Sequence, residues 1–165
     1  MLDIRKKTVE GLSTGDTFSV SRTFSEQDVI RFADISRDYN PVHFDERFAR
    51  VKNFERRICH GLLVAALITE IGGQIGWLAS GMNFRFIKPV YFGDTITCDF
   101  TITDIDERGR AQAEAIFTDE YGVTVLKADL TGIVPGDPEK RIMKDMLSEG
   151  DPTNKATRCV TISEP

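Results

Sequence analysis

Histidine and cysteine are scarce in this chain. There are two histidines, His43 and His60, and three cysteines, Cys59, Cys98 and Cys159. An odd number of cysteines without CxxC spacing argues against both a disulfide framework and a structural zinc site, and no metal is expected. Reduced thiols are the expectation. Cys59 is adjacent to His60, but neighbouring residues on a helix or strand point apart, which disfavours a Cys-His nucleophile. No run of about 18 apolar residues exists, so no membrane span is expected. The longest apolar stretch, 61 to 71, is interrupted by Thr69 and Glu70. The opening MLDIRKKTVEGLSTGD lacks an apolar signal-peptide core, so a cytoplasmic location is expected. Excess positive charge is missing too: the net charge is −5, which gives no reason to expect a nucleic-acid partner. A GxGxxG turn and a P-loop are both lacking, which disfavours a nucleotide-binding α/β fold.

What remains is a chain of 165 residues, the size of one domain with one substantial core. Residues 1–16 read as an irregular lead-in. Residues 18–24 alternate as a strand. Ser25 and Asp28 resemble a capping box that opens a helix reaching about Ser36. Asp45 suits the N-cap of a short helix over 45–50. Residues 61–78 are apolar nearly all round, which predicts one long helix buried on most sides. The Gly72-Gly73 pair inside it suggests close packing against another backbone or a ligand; a plain kink fits as well. After Gly81 the period changes from 3.6 to 2. Strands are expected over 82–88, 95–103, 111–117 and 123–134, with turns at 107–110 and 119–122. Residues 137–165 form a C-terminal extension with one short helix over 139–147, outside a domain covering 1–136. The order predicts an α+β fold, one antiparallel sheet wrapped around a central helix.

The densest chemistry lies in SRDYNPVHFD, residues 36–45. Asp38 and His43 pair a carboxylate with an imidazole, the smallest set that moves protons both ways near neutral pH. Pro41 disfavours helix at Asn40, so the pair sits in a loop. A loop histidine also serves to bond backbone, and a carboxylate commonly ends a helix in a turn. At a helix C-terminus, however, a carboxylate is electrostatically disfavoured, a mild misfit that favours function for Asp38.

These residues do not stand alone. Asp38-Tyr-Asn40-Pro41-Val-His43-Phe-Asp45, then Phe48-Ala49, then His60-Gly61-Leu62, then Phe84-Arg-Phe86-Ile-Lys88-Pro89-Val90-Tyr-Phe-Gly93-Asp94 resemble the MaoC-like (R)-specific enoyl-CoA hydratases. The resemblance spans roughly residues 12–134. It implies a hot-dog fold, a curved antiparallel sheet around one long helix, and a homodimer whose sheets join edge to edge. It also implies reversible addition of water to a trans-2-enoyl thioester of coenzyme A or acyl-carrier protein, with no cofactor. Asp38 would act as base and His43 as the partner that positions water and relays the proton. The N–H of Gly61, at the start of the central helix, would hold the developing enolate oxygen. Asn40 would orient Asp38 or the loop backbone, and His60 reads as structural, bonding to the neighbouring loop. Arg85 and Lys88, with Lys52, Arg56 and Arg57, are candidates for the coenzyme A phosphates; solvated surface charge is the plain alternative for each.

One segment departs from the family pattern. Where many hydratases carry a Leu-Pro-Gly phrase and a longer loop, this chain reads Gln74-Ile-Gly-Trp77-Leu-Ala-Ser-Gly81 and enters the strand. Trp77 is therefore expected beside the acyl pocket, with a short or branched acyl group as substrate. Two other functions fit the same fold. A thioesterase would use Asp38 to direct water at the carbonyl, and a non-catalytic acyl-binding subunit would need neither group. Protonation of C2 requires an acid that hydrolysis does not, so the presence of both Asp38 and His43 favours hydration.

Overall fold

The computed structural model describes residues 3–155. Five antiparallel strands form one sheet in the order β1-β3-β4-β5-β2. They are β1 (Thr17–Thr23), β2 (Leu78–Phe86), β3 (Thr95–Ile105), β4 (Arg110–Thr118) and β5 (Thr124–Ile133). Six helices accompany them: α1 (Ile4–Glu10), α2 (Glu26–Ser36), α3 (Glu46–Val51), α4 (Gly61–Ala65), α5 (Leu67–Ile75) and α6 (Asp137–Ser148). This is the hot-dog architecture.

Strand alternation builds the core. Ile96, Cys98, Phe100 and Ile102 of β3 face inward with Ala111, Ala113, Ala115 and Phe117 of β4. Leu126, Ala128 and Leu130 of β5 continue that surface. Intervening threonines and charged residues face out, the pattern of a sheet wet on one side. Against the inner face lies α5, with Leu67, Ile68, Ile71 and Ile75 each no more than 2% exposed. At about 1.5–3 kcal/mol for each fully buried large aliphatic or aromatic side chain, this helix–sheet interface dominates the favourable side of folding.

The central apolar stretch differs from the single helix its composition suggests. It breaks at Ala66 into α4 and α5, and α5 stops at Ile75, where Gly76 takes φ 76° and its N–H bonds to the Gly72 carbonyl. The left-handed turn suits glycine and ends the helix. Trp77 then packs edge-on to Phe100 at 5.4 Å between ring centroids, and Leu78 already belongs to β2. The strand therefore starts earlier than Gly81: a bulge between Ala79 and Gly81 lets Leu78 and Ala79 pair with Ile133 and Gly132. Gly132 leaves the room that the Trp77 indole fills.

The Gly72-Gly73 pair does not mark a close backbone approach. A Cβ at Gly73 would meet nothing within 4 Å, and one at Gly72 would meet only Trp77 Cβ, at 3.7 Å. What Gly73 supplies is its carbonyl. Arg5 donates from its guanidinium to Gly73 O at 3.0 Å and Gln74 O at 2.8 Å, and pairs with Asp151 at 2.8 Å. The cation sits where the helix dipole is negative and carbonyls lack partners. This clamp explains why residues 4–10 are helical and not irregular. Asp3 caps α1, and Ile4, Arg5 and Thr8 are buried by tertiary contacts that the heptapeptide's own pattern does not reveal. The described part of the C-terminal extension packs on its own chain: α6 lies against α1, and Met143 is buried beside Gly76; residues 156–165 of the extension lie outside the described residues.

Replacing Arg5 with Ala strands the Asp151 carboxylate and the carbonyls of Gly73 and Gln74 at once. The expected result is a thermal midpoint lowered by roughly 10 °C, read by circular dichroism. Arg5→Lys, which keeps the charge without the fork, should fall between the two.

Candidate active site

The site is assembled by a helix that ends abruptly. In α2 the capping box is complete: Ser25 Oγ accepts from the Asp28 N–H, and the Asp28 carboxylate accepts from the Ser25 N–H. At the other end Arg37 adopts the left-handed conformation, φ 62°, with its N–H on the Ala33 carbonyl at 2.8 Å. For a residue with a side chain this costs roughly 1–2 kcal/mol. It reverses the chain so that Asp38 leaves the helix axis. Asn40 then caps a short 3-10 turn over Pro41–His43, its Oδ1 accepting from the Val42 N–H at 3.2 Å. Pro41 occupies the first turn, where a missing N–H costs nothing. Asp45 caps α3 by accepting from the N–H groups of Arg47 and Phe48.

Asp38 is held on three sides. Its N–H donates to Ser36 Oγ at 3.2 Å, its Oδ1 accepts from the Asn40 N–H at 3.2 Å, and its carbonyl accepts from His60 Nε2 at 2.9 Å. Its side chain is half exposed. His43 is buried, and its Nδ1 donates to the Ile58 carbonyl at 2.8 Å. A carbonyl only accepts, so Nδ1 carries the proton and Nε2 is the free base. That nitrogen faces Asp38 Oδ2 at 3.9 Å. The gap is too long for a direct hydrogen bond and suits one shared water. Burial pushes the His43 pKa below its ordinary value. The neighbouring His60 ring adds to the shift, while the Ile58 carbonyl and the Asp38 charge oppose it. The neutral imidazole is thus the favoured form.

Asp38, His43 and Gly61 line one cavity of about 420 Å³. Cys59, Val64, Val90, Val125 and Leu126 give it apolar walls, and Phe86, Ile87 and Lys88 stand along another side. Gly61 opens α4, and the first N–H groups of a helix have no partner within it. The ring of Phe86 lies directly over Gly61, so that a Cβ there would come within 2.6 Å of Phe86 Cε1. Burial pushes the Cys59 thiol up to about 12, which leaves it protonated and unsuited to nucleophilic attack. Asp38, His43 and His60 offer ligand atoms within 4.8 Å of one another. Two of the four imidazole nitrogens are already committed to carbonyls, so the arrangement suits proton transfer better than metal binding.

The other sequence candidates are distributed differently. Lys88 is on the cavity wall. Asn40 shapes the loop. Arg85 is not among the cavity-lining residues; it pairs with Asp129 at 3.3 Å on the outer face of the sheet, because alternation along β2 turns Phe84 and Phe86 inward and Arg85 out. Trp77 is likewise absent from the cavity lining and serves the core. Arg57 is paired with Glu26 at 2.7 Å and Glu46 at 3.7 Å, Arg56 with Asp94 at 3.5 Å, and Lys52 lies over the Phe48 ring. Sequence pattern alone does not mark Phe86, Cys59, Val64, Val125 and Leu126 as cavity residues. The signal for Phe86 was its place on the inward side of an alternating strand just before Pro89.

The chain is similar to known proteins over most of its length. The MaoC-like domain matches residues 11–123. An (R)-specific enoyl-CoA hydratase of Rhodospirillum rubrum is 31% identical over 130 residues, 76% of this chain and 90% of that protein. A 3-hydroxybutyryl-CoA dehydratase of Methylorubrum extorquens is 34% identical over 117 residues, 67% of this chain and 73% of that protein. The solved structure of the Aeromonas caviae (R)-hydratase involved in PHA biosynthesis superposes with a TM-score of 0.70 at 30% identity, covering 75% of this chain and 98% of that one. With a domain match across most of its length and relatives of similar size, this chain belongs to the MaoC-like domain family.

Proposed function

We propose that this protein is a hydro-lyase that interconverts trans-2-enoyl-CoA and (R)-3-hydroxyacyl-CoA by reversible addition of water. The observation that carries the reading is the free Nε2 of His43 facing Asp38 Oδ2 across 3.9 Å, in the cavity that Gly61 also lines. Water held between the two groups gives a proton to Asp38 while its oxygen bonds to C3 of the enoyl group. The C2–C3 double-bond electrons move toward the thioester, and the Gly61 N–H holds the resulting enolate oxygen. A proton relayed through His43 and Asp38 then reaches C2. Dehydration is the reverse. Proton transfer of this kind needs no resident cofactor.

A cavity of about 420 Å³ lies toward the small end of ligand pockets, which supports a short or branched acyl group. Lys88, exposed on its wall, would meet the phosphates of coenzyme A or of a carrier-protein arm. Cys59 and Cys98 are free thiols, in keeping with a cytoplasmic enzyme. No helix of the described residues is long and apolar enough to cross a membrane. The edge strand β2 leaves Leu78 70%, Met82 44% and Phe86 55% exposed. Met82 and Phe86 pair with the inward-facing Leu130 and Leu126, so the sheet's apolar inner surface runs to its edge uncovered. A second copy joined along β2 would cover it and complete the hydrogen bonding of the edge.

Incubation with crotonyl-CoA should remove the enoyl absorbance without releasing thiol; thiol release would identify a thioesterase instead. Asp38→Asn and His43→Ala should each lower kcat by about 10²–10⁴-fold with an unchanged far-ultraviolet spectrum. Near-native rates in either variant would remove the dyad.

The His43 shift carries a sign. Its folded pKa lies below the unfolded 6.5, so the stability it contributes is fully present above pH 6.5 and is lost as pH falls through the folded value. Accordingly the acidic limb of kcat/KM for hydration should have its midpoint below pH 6.5. A midpoint above that value would contradict the buried neutral imidazole. Light scattering should report a dimer, and Met82→Lys should shift it toward monomer.

A further inference from the structure

His60 is the one side chain among the described residues that both holds the backbone of Asp38 and touches the ring of His43. Its Nε2 donates to the Asp38 carbonyl at 2.9 Å. Its ring stacks on that of His43 with centroids 3.7 Å apart and planes 32° apart. Phe32, 5.0 Å away, and Phe44, 6.2 Å away, enclose it further, and it is 1% exposed. The residue is the N-cap of α4 yet makes no side-chain capping bond. Its Nδ1 is buried without a partner among the described residues.

An apolar ring of similar shape would fill the space without the cost of an unpaired buried nitrogen, a cost that Trp77 Nε1 also carries in the core. A side chain chosen only to cap the helix would be Ser, Asp or Asn. The arrangement has a use only if both a flat face and a donor at the far end are needed. Imidazole supplies both; phenylalanine supplies the face alone and glutamine the donor alone.

We propose that His60 is a positioning residue for the reaction, holding the Asp38 backbone through its Nε2–H and the plane of the His43 ring through its face. Gly61 follows it in the chain, so the same residue ties the two proton-handling groups to the start of α4. Base, relay and oxyanion donor are then registered to one another as a unit. The role rests on the hydratase reading above. It acts on geometry and leaves substrate binding to the cavity walls, so its loss is read in kcat and not in KM. A misplacement of about 1 Å in such a set typically costs about 10²-fold.

The test compares His60→Phe and His60→Gln with the unsubstituted protein on crotonyl-CoA, alongside NMR of histidine-labelled protein. His60→Phe should lower kcat by roughly 10–100-fold with KM held within about threefold, and His60→Gln should recover at least about fivefold of that loss by restoring a donor to Asp38. Because the chain has two histidines, two ring signals are expected, and the His60 signal should show a slowly exchanging Nε2 proton. Native kcat in His60→Phe overturns the proposal and leaves the hydratase standing. So does an equal loss in both variants with KM raised and the melting temperature lowered in parallel, which marks a structural residue. A His60 ring protonated at Nδ1 overturns it whatever the kinetics. Absence of turnover on enoyl-CoAs by the unsubstituted protein instead removes the hydratase reading, and the catalytic meaning of His60 with it.

Discussion

The carbonyl of Ile58 sets the chemistry of the whole site. It can only accept, so it assigns the proton of His43 to Nδ1 and leaves Nε2 free toward Asp38. Its position depends on the sheet. Ile58 forms an isolated antiparallel bridge with Tyr91, and the next N–H, of Cys59, bonds to Val90 O at 2.8 Å. The strap that carries Ile58 and His60 is thereby sewn to the segment leaving β2. The loop that carries Asp38 is in turn held to the strap by His60, and more weakly by Ile58 N–H on Val42 O at 3.4 Å. Two irregular segments thus acquire definite places because the loop is bonded to the strap and the strap to the segment that follows β2.

The regular part is made stiff by ordinary means. An apolar helix lies under an alternating sheet, and its exposed end is closed by a guanidinium from α1 that also reaches the C-terminal segment. The same arrangement sorts the aromatic residues. Trp77 and Phe100 fill the core at the end of α5, while Phe86 lies over Gly61 at the beginning of α4. The two ends of the helical segment 61–75 therefore do different work. One is packed shut and the other faces a cavity.

Local costs gather where the chemistry is. Arg37 holds a left-handed backbone, His60 Nδ1 is buried without a partner among the described residues, and His43 is kept from its charged form by burial. Each is unfavourable alone and is sustained by the rigid elements on both sides. Gln74 Oε1 and Trp77 Nε1 are also buried without a partner among the described residues, but in the 37–60 region the misfits adjoin the proton-handling pair, as expected of a functional site.

Much of the fold is legible in the sequence. Strand alternation, the Ser25–Asp28 cap, the Asn40-Pro41 turn and the apolar stretch from Gly61 each encode local structure through spacing and residue type alone. They place Asp38, His43 and Gly61 in the right kinds of element. Tertiary structure decided the rest. Helix α1 forms because Arg5 finds carbonyls 68 and 69 residues away, a contact that no local pattern carries. Arg85 faces out because strand register, not charge, sets its direction. Trp77 joins the core because the helix ends at Gly76 and Gly132 lies opposite. The tautomer of His43 and the stacking of His60 upon it depend on a carbonyl and a ring more than ten residues distant. Residue identity and spacing determine which groups are available to the site. Only long-range bonding and burial decide which atoms of those groups meet, and in which protonation state.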